Sequence, residues 1–213
     1  MLELLPALLV HDETVFFERI QLMESVATTI HLDIMDGVFV PQATWFDADV
    51  LRQLKTPLRF ELHLMVRDPE RIINQTKGIS SIIRTLWHVE AETDHHQLIQ
   101  TCRAERQEAG LAISPQTPLE RLSPFIRDMD EVLIMGNEPG FSGQNLQPHA
   151  LERAREVHTS FPFLCLGFDI GVNFQTASLL KQVGVSRFCA ASAIFGSVDP
   201  QRAFEALQKI VKE

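Results

Sequence analysis

The amino-acid sequence predicts an α/β fold, a closed (β/α)8 TIM barrel, and three observations carry the fold. Short apolar runs alternate with longer amphipathic stretches about eight times along the chain, the pattern of parallel strands joined by crossover helices. Pro69, Pro118, Pro148 and Pro200 stand at regular loop-to-helix boundaries, where the missing N–H is not needed. Polar residues capable of chemistry collect at the C-terminal ends of several apolar runs, the end at which barrel enzymes work. Eight repeats favour closure over an open doubly wound sheet, which commonly has about five or six strands.

In chain order, strands are expected at 3–10, 29–35, 58–66, 81–88, 110–113, 130–135, 162–169 and 186–191. Helices are expected at 13–26, 47–55, 69–77, 94–108, 118–127, 148–159, 173–183 and 200–212. Thr93-Asp94 and Asn173 are suitable caps for two of these helices. No low-complexity linker or composition shift divides the chain, and 213 residues suffice for one small barrel, so residues 1–213 are expected to form one domain.

Composition narrows the function. A net charge of −9 argues against a nucleic-acid groove and against adhesion to anionic membranes. An anionic substrate stays possible, because backbone amides bind phosphate without lysine. Cys102, Cys165 and Cys189 are widely spaced and form no CxxC pair, which fits reduced thiols in the cytoplasm. The opening MLELLPALLVHDE lacks a basic start and carries Glu3 and Pro6, so it reads as a first strand and not a signal peptide. No run approaches the ~18 apolar residues of a membrane helix.

Strand two reads Thr29-Ile30-His31-Leu32-Asp33-Ile34-Met35. Side chains alternate across a strand, so His31, Asp33 and Met35 share the face opposite the apolar Ile30, Leu32 and Ile34. Taken alone, His31 and Asp33 are better read as a hydrogen-bonded pair capping a strand. Strand three repeats the pattern, with Glu61, His63 and Met65 opposite Leu62 and Leu64. Strand four ends in Trp87-His88-Val89-Glu90, strand six in Ile134-Met135, and strand seven places Asp169 at its tip. Jointly, two imidazoles and two carboxylates at one end of a barrel are better explained as a transition-metal site than as separate structural residues. Trp45 and Phe46, in the loop after strand two, fit either a subunit interface or a lid.

On these segments the chain resembles the ribulose-phosphate 3-epimerase family. The matching blocks are His31-Leu32-Asp33-Ile34-Met35-Asp36-Gly37 with Phe39-Val40-Pro41, His63-Leu64-Met65-Val66 with Asp68-Pro69, and His88-Val89-Glu90-Ala91. Further along come Pro139-Gly140-Phe141-Ser142-Gly143-Gln144, Asp169 with Gly171-Val172, and Ser192-Ala193-Ile194-Phe195-Gly196, in the family's order over about residues 4–212. The resemblance implies one divalent metal, Zn²⁺ first and Fe²⁺, Mn²⁺ or Co²⁺ otherwise, held by His31, Asp33, His63 and Asp169. It implies that Asp33 and Asp169 double as the acid/base pair that interconverts ribulose 5-phosphate and xylulose 5-phosphate through a metal-stabilised enediolate. It places Met35, Met65, Met135 and His88 against the substrate, although the methionines read equally as core fillers. It also assigns the Gly140, Ser142 and Gly143 loop to the substrate, and the Gly171 and Ala191-Ser192 segments to its phosphate. A homo-oligomer is implied as well.

Departures from the family pattern cluster on the ligand side. A strand-one serine falls at Val10, Asp-Gly-Gly-Val becomes Asp169-Ile170-Gly171-Val172, and Gly-Ser becomes Ala191-Ser192. Either Ile170 has an ordinary backbone or the phosphate site is altered, since an isoleucine at positive φ is a serious outlier. Three further readings compete with the leading one. They are an epimerase of another ketose phosphate such as a hexulose 6-phosphate, a catalytically silent ligand-binding homologue, and a barrel decarboxylase. The last ordinarily needs a lysine in the catalytic cluster, and none lies near these strand ends.

Overall fold

The structure, a computed structural model, describes residues 2–141 and 143–213. Eight parallel strands close into a barrel in sequential order: β1 (Glu3–Leu8), β2 (Thr29–Met35), β3 (Arg59–Met65), β4 (Ile82–His88), β5 (Glu108–Ile113), β6 (Glu131–Met135), β7 (Cys165–Asp169) and β8 (Arg187–Ala190). Around them run α1 (Glu13–Met23), α2 (Ala48–Gln53), α3 (Pro69–Gln75), α4 (His95–Ala104), α5 (Pro148–Ser160), α6 (Ala177–Gln182), the single turn α7 (Ser192–Phe195) and α8 (Pro200–Lys212). None of the described helices is long and apolar enough to cross a membrane.

Capping explains many of the helix starts. Asp12, Asp47, Asp68, Asp94 and Asp199 each accept a backbone N–H of the first helical turn, and Pro69, Pro148 and Pro200 occupy the first positions. Asn173 instead forms a turn, accepting the N–H groups of Gln175 and Thr176, so α6 begins only at Ala177.

Four further expected elements differ. The helix expected over 118–127 is reduced to a 3-10 turn, Leu119–Leu122. Pro124 has no N–H to donate and its ring opposes an α-helical continuation, so the chain goes on in i→i+3 turns such as Phe125 N–H to the Leu122 carbonyl. The helix expected over 94–108 stops at Ala104, because Arg106 takes a left-handed φ of 61°. Strand β5 therefore begins at Glu108, two residues before the apolar run that marked it. The strand expected over 162–169 starts only at Cys165, and Phe163 is exposed.

A large apolar layer lies between barrel and helices, with Leu8, Ile30, Leu62, Trp87, Leu111, Ile134 and Phe168 among its members. Trp45 packs against it, its ring 5.1 Å from that of Phe16, and Phe46 does too, both side chains remaining partly exposed. Val10 is also buried in this outer layer, while Leu9 lines the barrel mouth. The loss of a hydroxyl at Val10 therefore leaves the cleft unchanged.

Inside the barrel, only a thin apolar layer of Leu5, Ala7, Leu86, Ala112, Leu133, Met135 and Cys189 separates two polar ends. The N-terminal end is a floor of buried charges. Arg84 pairs with Glu61 and with Glu3 (3.0 Å), while Arg187 pairs with Glu131 and with Glu108 (2.6 Å). The sequence pattern does not single out Arg84, Arg187 or Glu131 as interior residues.

Strands β6 and β7 approach closely at the C-terminal end. The Gly136 N–H donates to the Asp169 carbonyl at 2.7 Å, and a Cβ on Gly136 would lie 2.1 Å from the Ile170 carbonyl oxygen and 2.7 Å from Phe168 Cε1. Both backbones would have to move. Gly136→Ala is accordingly expected to cost about 1–3 kcal/mol or more in chemical denaturation, and unchanged stability would refute this packing.

Candidate metal centre and active site

Register brings the site together. Pairing of β2 with β3 sets His31 opposite Glu61 and Asp33 opposite His63, and pairing of β6 with β7 sets Met135 opposite Asp169. His31, Asp33, His63 and Asp169 are all buried, and one ligand atom from each lies within 4.8 Å of the others. His31 Nε2 is 3.3 Å from both His63 Nδ1 and Asp33 Oδ1. His63 Nδ1 is 3.0 Å from Asp33 Oδ1 and 3.7 Å from Asp169 Oδ2.

These distances fit a cation. Four tetrahedral N and O donors at the usual ~2.0–2.1 Å from zinc stand about 3.3–3.4 Å apart, and the observed separations bracket that value. The donor set is also of the right chemistry, since imidazole and carboxylate suit Zn²⁺, Fe²⁺, Mn²⁺ and Co²⁺ alike.

His31 is oriented from below. Its Nδ1 lies 2.6 Å from Glu61 Oε1, and a carboxylate only accepts, so Nδ1 carries the proton and the Nε2 lone pair faces the cluster. The other oxygen of Glu61 accepts from Arg84 Nε. Burial alone would raise the Glu61 carboxyl, but the His31 hydrogen bond and the Arg84 charge prevail and hold it at about 2. Glu61 is thus a part of the site that the sequence showed only as sharing a face with His63. Cys189 Sγ lies 3.3 Å from the same His31 nitrogen.

The two aspartates are driven apart. Burial disfavours the charge on Asp33, yet His31 and His63 outweigh it and keep that carboxyl well below the usual carboxylate range. Asp169 is pushed up to about 6 by burial and then by the Asp33 charge, against the opposing pull of the histidines. The metal-free site therefore holds one carboxylate ready to accept and one ready to retain a proton.

A cleft opens over this cluster. Of the residues expected to meet substrate, Met35, Met65, Gly140, Gly143, Gly171, Ala191 and Ser192 line it, together with Asp33 and Asp169. Leu9, Phe141, Ile170, Val172 and Cys189 complete the described lining. Ser142 lies outside the described residues. Met135 and His88 do not line the cleft. Met135 is sealed in the interior layer, and His88 is fully buried behind His63 with its Nε2 3.1 Å from His63 Nε2.

Ile170 settles the backbone alternative. It takes φ 68° and Gly171 follows at φ 85°, so the backbone there is left-handed although a β-branched residue occupies it. Such a position costs on the order of 1–3 kcal/mol. The Ile170 N–H donates to Asp169 Oδ1 at 2.8 Å, and its side chain packs on the interior apolar layer, which together hold it there.

Comparison with known proteins identifies the family. A family model described as "Ribulose-phosphate 3 epimerase family" matches residues 3–195. The cytoplasmic isoform of ribulose-phosphate 3-epimerase from Oryza sativa subsp. japonica is 33% identical over 192 residues, covering 87% of this chain and 83% of that protein. The ribulose-phosphate 3-epimerase of Bacillus subtilis is 31% identical over 216 residues, covering 98% and 99%. Among solved structures, a 3-hexulose-6-phosphate synthase superposes with TM-score 0.71 at 13% identity, covering 99% of each chain, a likeness of fold alone. With a family match along nearly its whole length and relatives of that name above 30% identity, the chain belongs to the ribulose-phosphate 3-epimerase family and is an epimerase acting on a carbohydrate.

Proposed function

We propose that this protein inverts the carbon next to the ketone of ribulose 5-phosphate to give xylulose 5-phosphate, with Asp33 and Asp169 as the two proton-transfer groups. The observation that carries this reading is their placement. Both carboxylates reach the same nitrogen of His63, and their proton affinities are driven in opposite directions. One takes the proton from the carbon and the other returns a proton to the opposite face, so the overall proton count is unchanged.

His31, Asp33, His63 and Asp169 would hold the divalent cation. When bound, it supplies positive charge to substrate oxygens that gain negative charge as the proton leaves. Met35 and Met65, with Leu9 and Phe141, make the cleft wall apolar, which keeps water from the reacting carbon. The described lining includes no lysine or arginine, so phosphate recognition falls to backbone amides near Gly171 and Ser192 and to the Ser192 hydroxyl. The left-handed turn at Ile170-Gly171 supports an amide cradle there and weighs against the silent-homologue reading. The three thiols are free, in keeping with a cytoplasmic setting.

Metal-loaded protein should epimerise ribulose 5-phosphate faster than a hexulose 6-phosphate and should exchange solvent deuterium into the carbon next to the ketone. A clear preference for the six-carbon sugar would transfer the assignment to that substrate, and absence of exchange with any ketose phosphate would remove it. Asp33→Asn and Asp169→Asn should each lower kcat by about 10²–10⁴, with metal content of the same preparations measured by elemental analysis. Full turnover in either variant would refute the two-carboxylate assignment. Because Asp169 must be ionised to ligate and its metal-free pKa is about 6, protons compete with the cation below that pH. Apparent affinity, measured against a chelator, should fall by at least about tenfold per unit well below pH 6 and recover above it.

A further inference from the structure

The geometry points to His88 and Glu90 as positioning residues that fix which nitrogen of His63 faces the metal centre. We infer that the carboxylate of Glu90, acting through the His88 imidazole, sets the proton of His63 on Nε2 and leaves the Nδ1 lone pair for a cation.

The chain of reasoning begins at Glu90, on the turn after β4. Its Oε1 accepts the Ser114 N–H at 2.9 Å, which orients the carboxylate so that Oε2 lies 3.2 Å from His88 Nδ1. A carboxylate has no proton to give, so the hydrogen of that contact belongs to His88 Nδ1. A neutral His88 then has a bare Nε2. That atom lies 3.1 Å from His63 Nε2, so the proton between the two nitrogens is the one His63 donates. The remaining nitrogen of His63, Nδ1, is the one that faces Asp33, Asp169 and His31.

The opposite proton arrangement excludes ligation. A proton on His88 Nε2 would force His63 Nε2 bare and put a hydrogen on His63 Nδ1, aimed into the cluster. Asp33 Oδ1, 3.0 Å from His63 Nδ1, opposes this selection while no cation is bound and becomes a fellow ligand once one is, whereas the Glu90–His88 pair, with both imidazoles completely buried and the Phe39 ring 4.9 Å from His88, acts in both states. His31 obtains the same control from Glu61 directly. His63, whose outer nitrogen points away from any carboxylate, obtains it through a second imidazole. This accounts for a buried His88 that touches no part of the cleft.

The inference rests on the metal-centre reading, and the experiment keeps the two apart. Zinc affinity is measured by chelator competition at one pH for wild type, His88→Leu, Glu90→Leu and His88→Gln. Long-range proton–nitrogen correlation spectra are recorded on zinc-loaded wild type labelled with ¹⁵N-histidine. The two leucine variants should bind zinc about 10–100-fold more weakly. His88→Gln, whose amide oxygen can accept the His63 proton, should recover most of the loss, and the spectra should show His88 protonated on Nδ1 alone. Leucine variants that match wild type, an equal loss in His88→Leu and His88→Gln, or a proton on His88 Nε2 would each overturn the relay. Thermal unfolding of the metal-free variants identifies any that fail to fold, and in that case the spectra of wild type decide. Failure of wild type to bind zinc at all would overturn the metal centre and the relay together.

Discussion

The arrangement of the barrel depends on one carboxylate. Glu61 sits between the two polar ends of the interior, with one oxygen on His31 and the other on Arg84. A buried charge of this kind persists only when its lone pairs are matched. The same residue therefore stabilises the charged floor and aims an imidazole at the reaction end. Burial of ionisable groups, which elsewhere would be a liability, here sets both proton position and proton affinity.

Strand order, most element boundaries and the four-residue cluster were legible in the sequence because they rest on period-two alternation and on short apolar runs. His31 and Asp33 stand out against Ile30, Leu32 and Ile34, and nothing beyond alternation is needed to place them inward. Legibility failed where interior residues are charged. Arg84, Glu131 and Arg187 are not singled out as interior residues by the sequence pattern, since a barrel interior is ordinarily filled by Val, Ile and Leu. The helix over 118–127 failed for a different reason, an interior proline at Pro124 whose effect the apolar periodicity masks. The close approach at Gly136 left no mark either, because it involves two strands that meet only in the folded chain.

The departures from the family pattern have unequal consequences. Val10 faces the helices and is silent for the cleft. Ile170 and Ala191 do line it, yet the backbone at Ile170 holds a left-handed geometry that isoleucine resists. A branched side chain beside Asp169 thus sits on a left-handed turn. The Ile170 N–H bond to Asp169 Oδ1 and its packing on the interior apolar layer hold that turn in place.

The ionic floor limits how this molecule can vary. Deleting one member of a buried ion pair leaves its partner uncompensated and costs about 3–5 kcal/mol, whereas exchanging a whole buried set for well-packed apolar residues is often neutral. Glu61, Arg84, Glu131 and Arg187 are joined in this way, so single steps away from them pass through markedly less stable intermediates. Lineages carrying this floor are expected to retain it intact or to replace it wholesale, a form of evolutionary ratchet built from electrostatics at the end of the barrel remote from substrate.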